Sequence, residues 1–302
     1  MSSTSVTGIS PAQRLRTYAS FVRFEHTLFS LPLILAGVFS APGPSLPAWR
    51  WLLIAVAAVG ARTVALALNR LIDRRLDALN PRTRTRELPA GRMRMAEAVA
   101  LLAASAAFYV AACALLGPWY LRVSWVPLLA FALYPYLKRF TPLCHFGVGA
   151  ALALAPLAGY AAAHPDLARP GAAWWLAAFA LAWVSGFDII YATLDEQFDR
   201  SAGVRSMVEW LGRVRALRLS AALHVVAFAC LIGVAVALWR LAPGGRPVWM
   251  LPALAGALAA AGVLLVLEQR WAEDVNLAFF KVNVWVGFVV LAVVLIARAG
   301  GA

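Results

Sequence analysis

Apolar residues run along this chain in long blocks, separated by short polar segments that carry most of the arginines. Nine blocks are distinguishable, at roughly 27–43, 51–72, 95–115, 122–137, 144–163, 173–194, 216–240, 248–267 and 277–298. Most approach the ~20 residues that cross a bilayer as a helix. The fourth is shorter, and the first contains Pro32 and Pro42. No long polar stretch divides the blocks, so residues 1–302 read as one domain, with polar residues 1–12 expected to be disordered. Thr27–Ala41 could pass for a secretory signal because it ends in small residues. However, a long segment containing Glu25 precedes it and further apolar blocks follow, so it is expected to be a retained membrane helix. The pattern predicts an all-α polytopic membrane protein of about nine transmembrane helices bundled around a central cavity.

Composition supports the bilayer as solvent and partner. Of 302 residues, 63% are hydrophobic and 14% charged, with a mean hydropathy of +0.77, whereas a soluble domain is about 45–50% apolar and about 25% charged. The net charge is +13, from 27 Lys+Arg against 14 Asp+Glu. These basic residues sit in loops between apolar blocks, which fits the positive-inside rule and not a nucleic-acid face. With the N-terminus placed in the cytoplasm, twenty basic residues fall inside and six outside, with Arg62 within a span. That bias predicts a multi-pass protein of the cell (inner) membrane, its N-terminus and basic loops cytoplasmic and its C-terminus outside. Asp166 is the only carboxylate in a predicted outside loop, a sidedness that a cytoplasmic active site would explain. Cys113, Cys144 and Cys230 form no C-x-x-C and read as small packing residues. His26, His145, His164 and His224 lack metal-ligand spacing and receive no role.

The chemistry-bearing residues lie at the ends of two blocks. In ALNRLIDRRLDALNPRTRTRELPAG, Asn69, Asp73 and Asp77 are spaced by four and share a helix face. In SGFDIIYATLDEQFDRSAG, Asp188, Tyr191, Asp195 and Asp199 repeat the pattern, with Asp188 about two turns inside the apolar run. Carboxylates at that spacing repel one another in a bare helix, a cost that a divalent cation would remove. Mg²⁺ suits such faces because it takes few protein carboxylates and keeps positions for water and phosphate oxygens. Arginines are interleaved with the acids at 70, 74, 75, 82, 84 and 86, and Lys138 and Arg139 end the fourth block. Together they form a set that can grip a diphosphate and neutralise its charge as it leaves. Arg62 stands two turns deeper on the Asn69 face. It needs an anionic partner, for which a substrate carboxylate and Asp188 are the two candidates.

At these residues the sequence resembles the UbiA superfamily of intramembrane prenyltransferases. NRLIDRRLDALNPRTRTRELPAG is similar to that family's first acidic motif, and FDIIYATLDEQFDRSAGVRS to its second. YPYLKRFT and NLAFFKVN resemble the 4-hydroxybenzoate polyprenyltransferase branch. The phrase FVRFEHTLFSLP is more similar to relatives associated with menaquinone synthesis by the futalosine route. The resemblance implies a nine-helix fold and Mg²⁺–diphosphate binding by Asn69, Asp73, Asp77, Asp195 and Asp199, with Asp73, Asp77, Asp195 and Asp199 as the catalytic acids. It makes Lys138 and Arg139 diphosphate contacts and matches Arg62 to an arginine that precedes the first motif. Arg74, Arg82, Arg86, Asp188 and Tyr191 complete the expected substrate-binding set.

The expected reaction is Mg²⁺-dependent transfer of a polyprenyl group from its diphosphate to an aromatic acid, in ubiquinone or menaquinone biosynthesis. A naphthoate or another ring is the alternative acceptor. Small residues Ala150, Ala151, Ala153, Ala155 and Gly159 could leave room for the isoprenoid tail between helices. A cation-coupled transporter is the alternative of another class. It would place its acids near the bilayer midplane at broken helices, whereas most of these acids lie at span ends beside arginines.

Overall fold

The computed structural model describes residues 10–22, 27–43, 46–165, 167, 170–241, 246–273 and 277–299, and every regular element among them is helical. The first helix, α1 (Pro11–Phe21), lies ahead of the apolar blocks. Ser10 Oγ accepts from Gln13 N–H at 3.3 Å and Gln13 Oε1 accepts from Ser10 N–H at 3.0 Å, a reciprocal capping box. Residues 10–12 therefore begin an ordered helix, contrary to the disorder expected there, and residues 1–9 lie outside the described residues.

The apolar blocks then follow as α2 (Thr27–Ser40), α3 (Ala48–Leu79), α4 (Met95–Leu116), the pair α5 (Pro118–Val123) and α6 (Trp125–Leu137), and α7 (Cys144–Ala163). After α8 (Ala172–Ala192) come short α9 (Glu196–Ala202) and α10 (Met207–Leu211), then α11 (Arg213–Leu241), α12 (Met250–Arg270) and α13 (Leu277–Arg298). Among the described residues, seven helical stretches are long and apolar enough to cross a membrane, so the chain is a multi-pass membrane protein. The first and fourth predicted spans fall short for local reasons. Helix α2 has 14 residues with Pro32 inside it. The fourth is divided at Ser124, where α5 ends and α6 begins, so that α6 alone has 13 residues. Helix α3 exceeds its predicted span: 32 residues extend about 48 Å at 1.5 Å each, so its last turns carry Asp73 and Asp77 beyond the apolar run.

Helix α8 runs through the centre of the bundle, with Leu176, Phe179, Trp183, Ile189 and Ile190 fully buried. Residues such as Leu52, Phe108, Val225 and Leu251 point outward and are exposed, as expected where lipid replaces water around the bundle. Helices α2 and α7 cross with their backbones in contact. A Cβ added at Gly37 would lie 2.1 Å from the Pro156 carbonyl oxygen, and one at Gly159 would lie 2.1 Å from that of Ile34. Small residues at a crossing permit this approach. A polar cluster fixes α8 on its other side. Ser220 Oγ donates to the Gly186 carbonyl at 2.7 Å, Gln269 Nε2 donates to Ser220 Oγ at 2.8 Å, and Trp183 Nε1 donates to fully buried Glu268 at 3.1 Å.

Gly159→Ala is expected to lower the melting temperature of the detergent-solubilised protein, at an overpacking cost of about 1–3 kcal/mol. Gly256→Ala, where nothing lies within 4 Å of an added Cβ, should leave it unchanged. Differential scanning fluorimetry of the two variants checks the crossing.

Candidate active site

The two acidic faces meet. Residues following α3 cross to the end of α8, where Asn80 Nδ2 donates to Asp195 Oδ1 at 2.8 Å and Arg82 Nε to the same oxygen at 2.9 Å, while Arg82 Nη2 holds the other oxygen. The Asn80 side chain also accepts from the Arg82 N–H at 2.9 Å, the Asx-type turn that asparagine supplies. Burial works against the Arg82 charge, but the hydrogen bonds and field of Asp195 outweigh it and hold the guanidinium above its ordinary range. Arg86 Nη1 donates to both oxygens of Asp77, at 2.8 and 2.9 Å. Lys138 Nζ meets Asp73 at 2.5 Å, and Asn69 Nδ2 donates to the same carboxylate oxygen at 3.3 Å. These residues line a cavity of about 290 Å³ together with Tyr134, His145, Asp188, Tyr191 and Asp199.

The second acidic face is not one continuous helix. Thr193–Asp195 tightens into a 3₁₀ turn, with Thr193 Oγ1 donating to the Ile190 carbonyl at 2.7 Å, and α9 restarts at Glu196. The turn rotates Asp195 off the regular four-residue spacing, yet Asp188, Tyr191, Asp195 and Asp199 all still face the cavity. Arg82 lies 5.1 Å over the Tyr191 ring, which gives the tyrosine a cation–π partner.

Besides Arg62, two predicted site residues are not among this cavity's lining. Arg74 and Arg139 line a separate outer groove. Arg139 donates to the Ile72 carbonyl at 2.9 Å and lies 4.9 Å over the Tyr136 ring, with Asp73 3.9 Å away. Because α3 turns 100° per residue, Arg74 is carried off the Asp73 face. Conversely, sequence reading gave His145 no role, and the structure places it in the cavity: its Nδ1 lies 2.7 Å from Asp188 Oδ2. The partners are 43 residues apart, so no local spacing could reveal them. Asp188 thus pairs with His145 and not with Arg62.

Arg62 lines a second, apolar chamber of about 170 Å³ among α2 to α7, together with Ala151, Ala155, Ile34 and Phe131. Ala150, Ala153 and Gly159, also expected to leave room for a tail, are not among its lining; Gly159 instead lies against Ile34. The Arg62 Nε is buried without a hydrogen-bond partner, and Arg62 makes no ion pair among the described residues.

The sequence model of the UbiA prenyltransferase family matches residues 30–296. The chain belongs to this family. Among UbiA relatives, it is 32% identical over 231 residues to a 4-hydroxybenzoate octaprenyltransferase of Azotobacter vinelandii, covering 76% of this chain and 75% of that protein. A 4-hydroxybenzoate octaprenyltransferase of Shewanella amazonensis is 29% identical over 207 residues, covering 67% and 70%. The apo structure of a UbiA homolog from Aeropyrum pernix K1 has a TM-score of 0.77 at 33% identity, covering 88% of this chain and 95% of that one. A UbiA homolog from Archaeoglobus fulgidus bound to GPP and Mg²⁺ shares the fold, with a TM-score of 0.67 at 16% identity over 94% and 98% of the chains. This UbiA protein is therefore a prenyltransferase.

The polar cavity fits a divalent cation that completes its shell from a substrate. Asp73 Oδ1 is buried and lacks a hydrogen-bond partner, so it is an open oxygen ligand. Among the described residues no three Asp, Glu, His or Cys side chains gather closely enough to hold an ion by themselves. Mg²⁺ binds through one or two carboxylates plus phosphate oxygens, so it needs no such trio. Asp195→Ala is expected to leave a protein that inserts and purifies normally, because Arg82 stays partly solvated at 30% exposure. Prenyl transfer by this variant should fall below detection in a radiolabelled product assay.

Proposed function

We propose that this UbiA protein catalyses Mg²⁺-dependent transfer of a polyprenyl group from its diphosphate to an aromatic acid of the 4-hydroxybenzoate type, for quinone biosynthesis. The chain acts as one unit over its full length, in the inner membrane, with the polar cavity on the cytoplasmic side and the C-terminus outside. The observation that carries this reading is a polar cavity lined by both acidic faces beside an apolar chamber that contains an ion-unpaired arginine. The names of the curated relatives support the acceptor class, and the twenty-to-six bias of basic residues supports the sidedness. Naphthoates remain the alternative acceptors, on the resemblance of FVRFEHTLFSLP to menaquinone-route relatives.

In this mechanism Asn69, Asp73, Asp77, Asp195 and Asp199 would supply oxygens for Mg²⁺, which when bound would neutralise the charge that develops on the diphosphate as the carbon–oxygen bond breaks. Arg82, Arg86 and Lys138 exchange their carboxylate partners for diphosphate oxygens and neutralise the leaving group. The chamber accepts the isoprenoid tail and keeps water from the allylic cation. Arg62 pairs with the acceptor carboxylate and orients the ring for attack by the carbon ortho to its hydroxyl.

Two outcomes are expected from purified protein incubated with geranyl diphosphate and 4-hydroxybenzoate. Product mass and pyrophosphate release should both require Mg²⁺ and vanish with EDTA. Turnover that survives metal removal would refute the mechanism. Separately, Arg62→Ala should raise the KM for the aromatic acid about 10–100-fold, the equivalent of about 1.5–3 kcal/mol for a charge-assisted hydrogen bond. The KM for the prenyl diphosphate should not change. A stable variant with an unaltered acceptor KM would exclude Arg62 from acceptor binding.

A further inference from the structure

The transfer leaves one proton unassigned. When the ring carbon attacks the allylic cation, that carbon still carries its hydrogen, and a group in the site must remove it. Five carboxylates line the polar cavity. Three of them are held by cations: Asp73 by Lys138, Asp77 by Arg86 and Asp195 by Arg82. Held by these cations, or by Mg²⁺ once the cations have turned to the diphosphate, such a carboxylate is a weakened base, because the positive charge stabilises its ionised form. Asp199, assigned above to Mg²⁺, lies on α9 beyond the end of α8. Asp188 differs from all four: it lies deepest along α8 and its partner is an imidazole.

The hydrogen bonds fix the state of that imidazole. His145 sits at the start of α7 with its side chain only 4% exposed. The Met207 backbone N–H donates to His145 Nε2 at 3.2 Å. Nε2 therefore presents its lone pair, so the ring proton resides on Nδ1 and is donated to Asp188 Oδ2 at 2.7 Å. A neutral imidazole held from both sides orients the carboxylate without neutralising it. The Asp188 side chain keeps 30% exposure toward the cavity, which leaves an oxygen open to a ligand. Tyr134 links the two chambers: it lines the polar cavity with Asp73 and Asp188, and its hydroxyl donates at 3.5 Å to the carbonyl of Ala65, which lines the apolar chamber with Arg62. An aromatic acid held at Arg62 and facing the diphosphate end would lie beside Tyr134.

We propose that Asp188 is the catalytic base that removes the ring proton, and that His145, through its Nδ1–H, is its positioning residue. This rests on the functional reading above. The ring carbon's π pair forms the bond to C1 of the allylic cation. The C–H bond at that carbon then breaks, its electron pair returns to the ring, and the proton passes to an Asp188 oxygen. The proton then leaves on the departing diphosphate.

The test separates ionisation of the diphosphate from deprotonation of the ring. Full-length protein in detergent is given geranyl diphosphate, Mg²⁺ and 4-hydroxybenzoate, either unlabelled or deuterated at both positions ortho to the hydroxyl. Pyrophosphate and prenylated acid are counted separately. In Asp188→Asn, pyrophosphate release should continue with geraniol as the by-product. Prenylated acid should fall about 10²–10⁴-fold, the usual contribution of a general base, and what remains should show a primary deuterium effect absent from the wild type. His145→Ala should lower kcat without changing either KM, and His145→Asn, whose amide can replace the Nδ1–H, should recover part of the loss. If Asp188→Asn does not purify, Asp188→Ala with added formate replaces it, and formate should restore prenylated acid. Equal loss of pyrophosphate and product in the Asp188 variant, coupled turnover at the wild-type ratio, or no rescue by formate would each overturn the assignment. A wild-type protein that releases no pyrophosphate with any aromatic acid would instead remove the functional reading itself, and this assignment with it.

Discussion

The polar half of this molecule is organised by one constraint: carboxylates at the edge of an apolar bundle need cations close by. Asp73, Asp77 and Asp195 each meet it with a specific Lys or Arg. Because Lys138 comes from the end of α6 and Arg82 and Arg86 from the residues after α3, the pairing ties three separate elements into one rim. The same pairs keep the cations near the place where a diphosphate would bind. Ligand entry then becomes an exchange of partners, carboxylate for phosphate, in which no charge must first be stripped of its counter-ion. Such an exchange costs less than creating a buried charge, and it leaves the freed carboxylates available as oxygen ligands.

The membrane architecture was legible because it depends on local quantities. Block length and hydropathy located the helices, and four-residue spacing located Asp73, Asp77, Asp195 and Asp199 on faces that do converge. Spacing served less well where helical register was broken or where a neighbour decided the outcome. It placed Arg74 beside Asp73 in sequence, whereas the helix turn carries it to an outer groove. It could not see the 3₁₀ turn at Thr193–Asp195, nor the pairing of His145 with Asp188, which depends on how α7 lies against α8. Helix α1 did leave a local sign, the Ser10–Gln13 capping pair. An expectation of disorder drawn from polarity alone passed over it.

The two cavities divide the substrate's chemistry as the bilayer divides space. Arg62 is the exception: a cation lining the apolar chamber, without an ion pair among the described residues. A charge in such a place costs several kcal/mol unless an anion arrives, so an anionic ligand there would recover energy already spent in folding. The neutral His145 ring, pinned by the Met207 N–H, shows the opposite economy. It orients an acid while adding no charge.

The crossing of α2 and α7 bears on how long a tail the chamber can take. Ile34 from α2 and Ala151 and Ala155 from α7 form one wall of it. Behind that wall the two backbones touch at Gly37 and Gly159, with no side chain between them to be trimmed or repacked. This side of the chamber behaves as a fixed jaw. Adjustment to isoprenoid length falls instead to the other lining side chains, among them Leu116, Trp119 and Tyr120 at the α4–α5 junction. Those bulky residues would work as the movable stop of a molecular ruler, one whose setting evolution can change residue by residue while the helix crossing stays as it is.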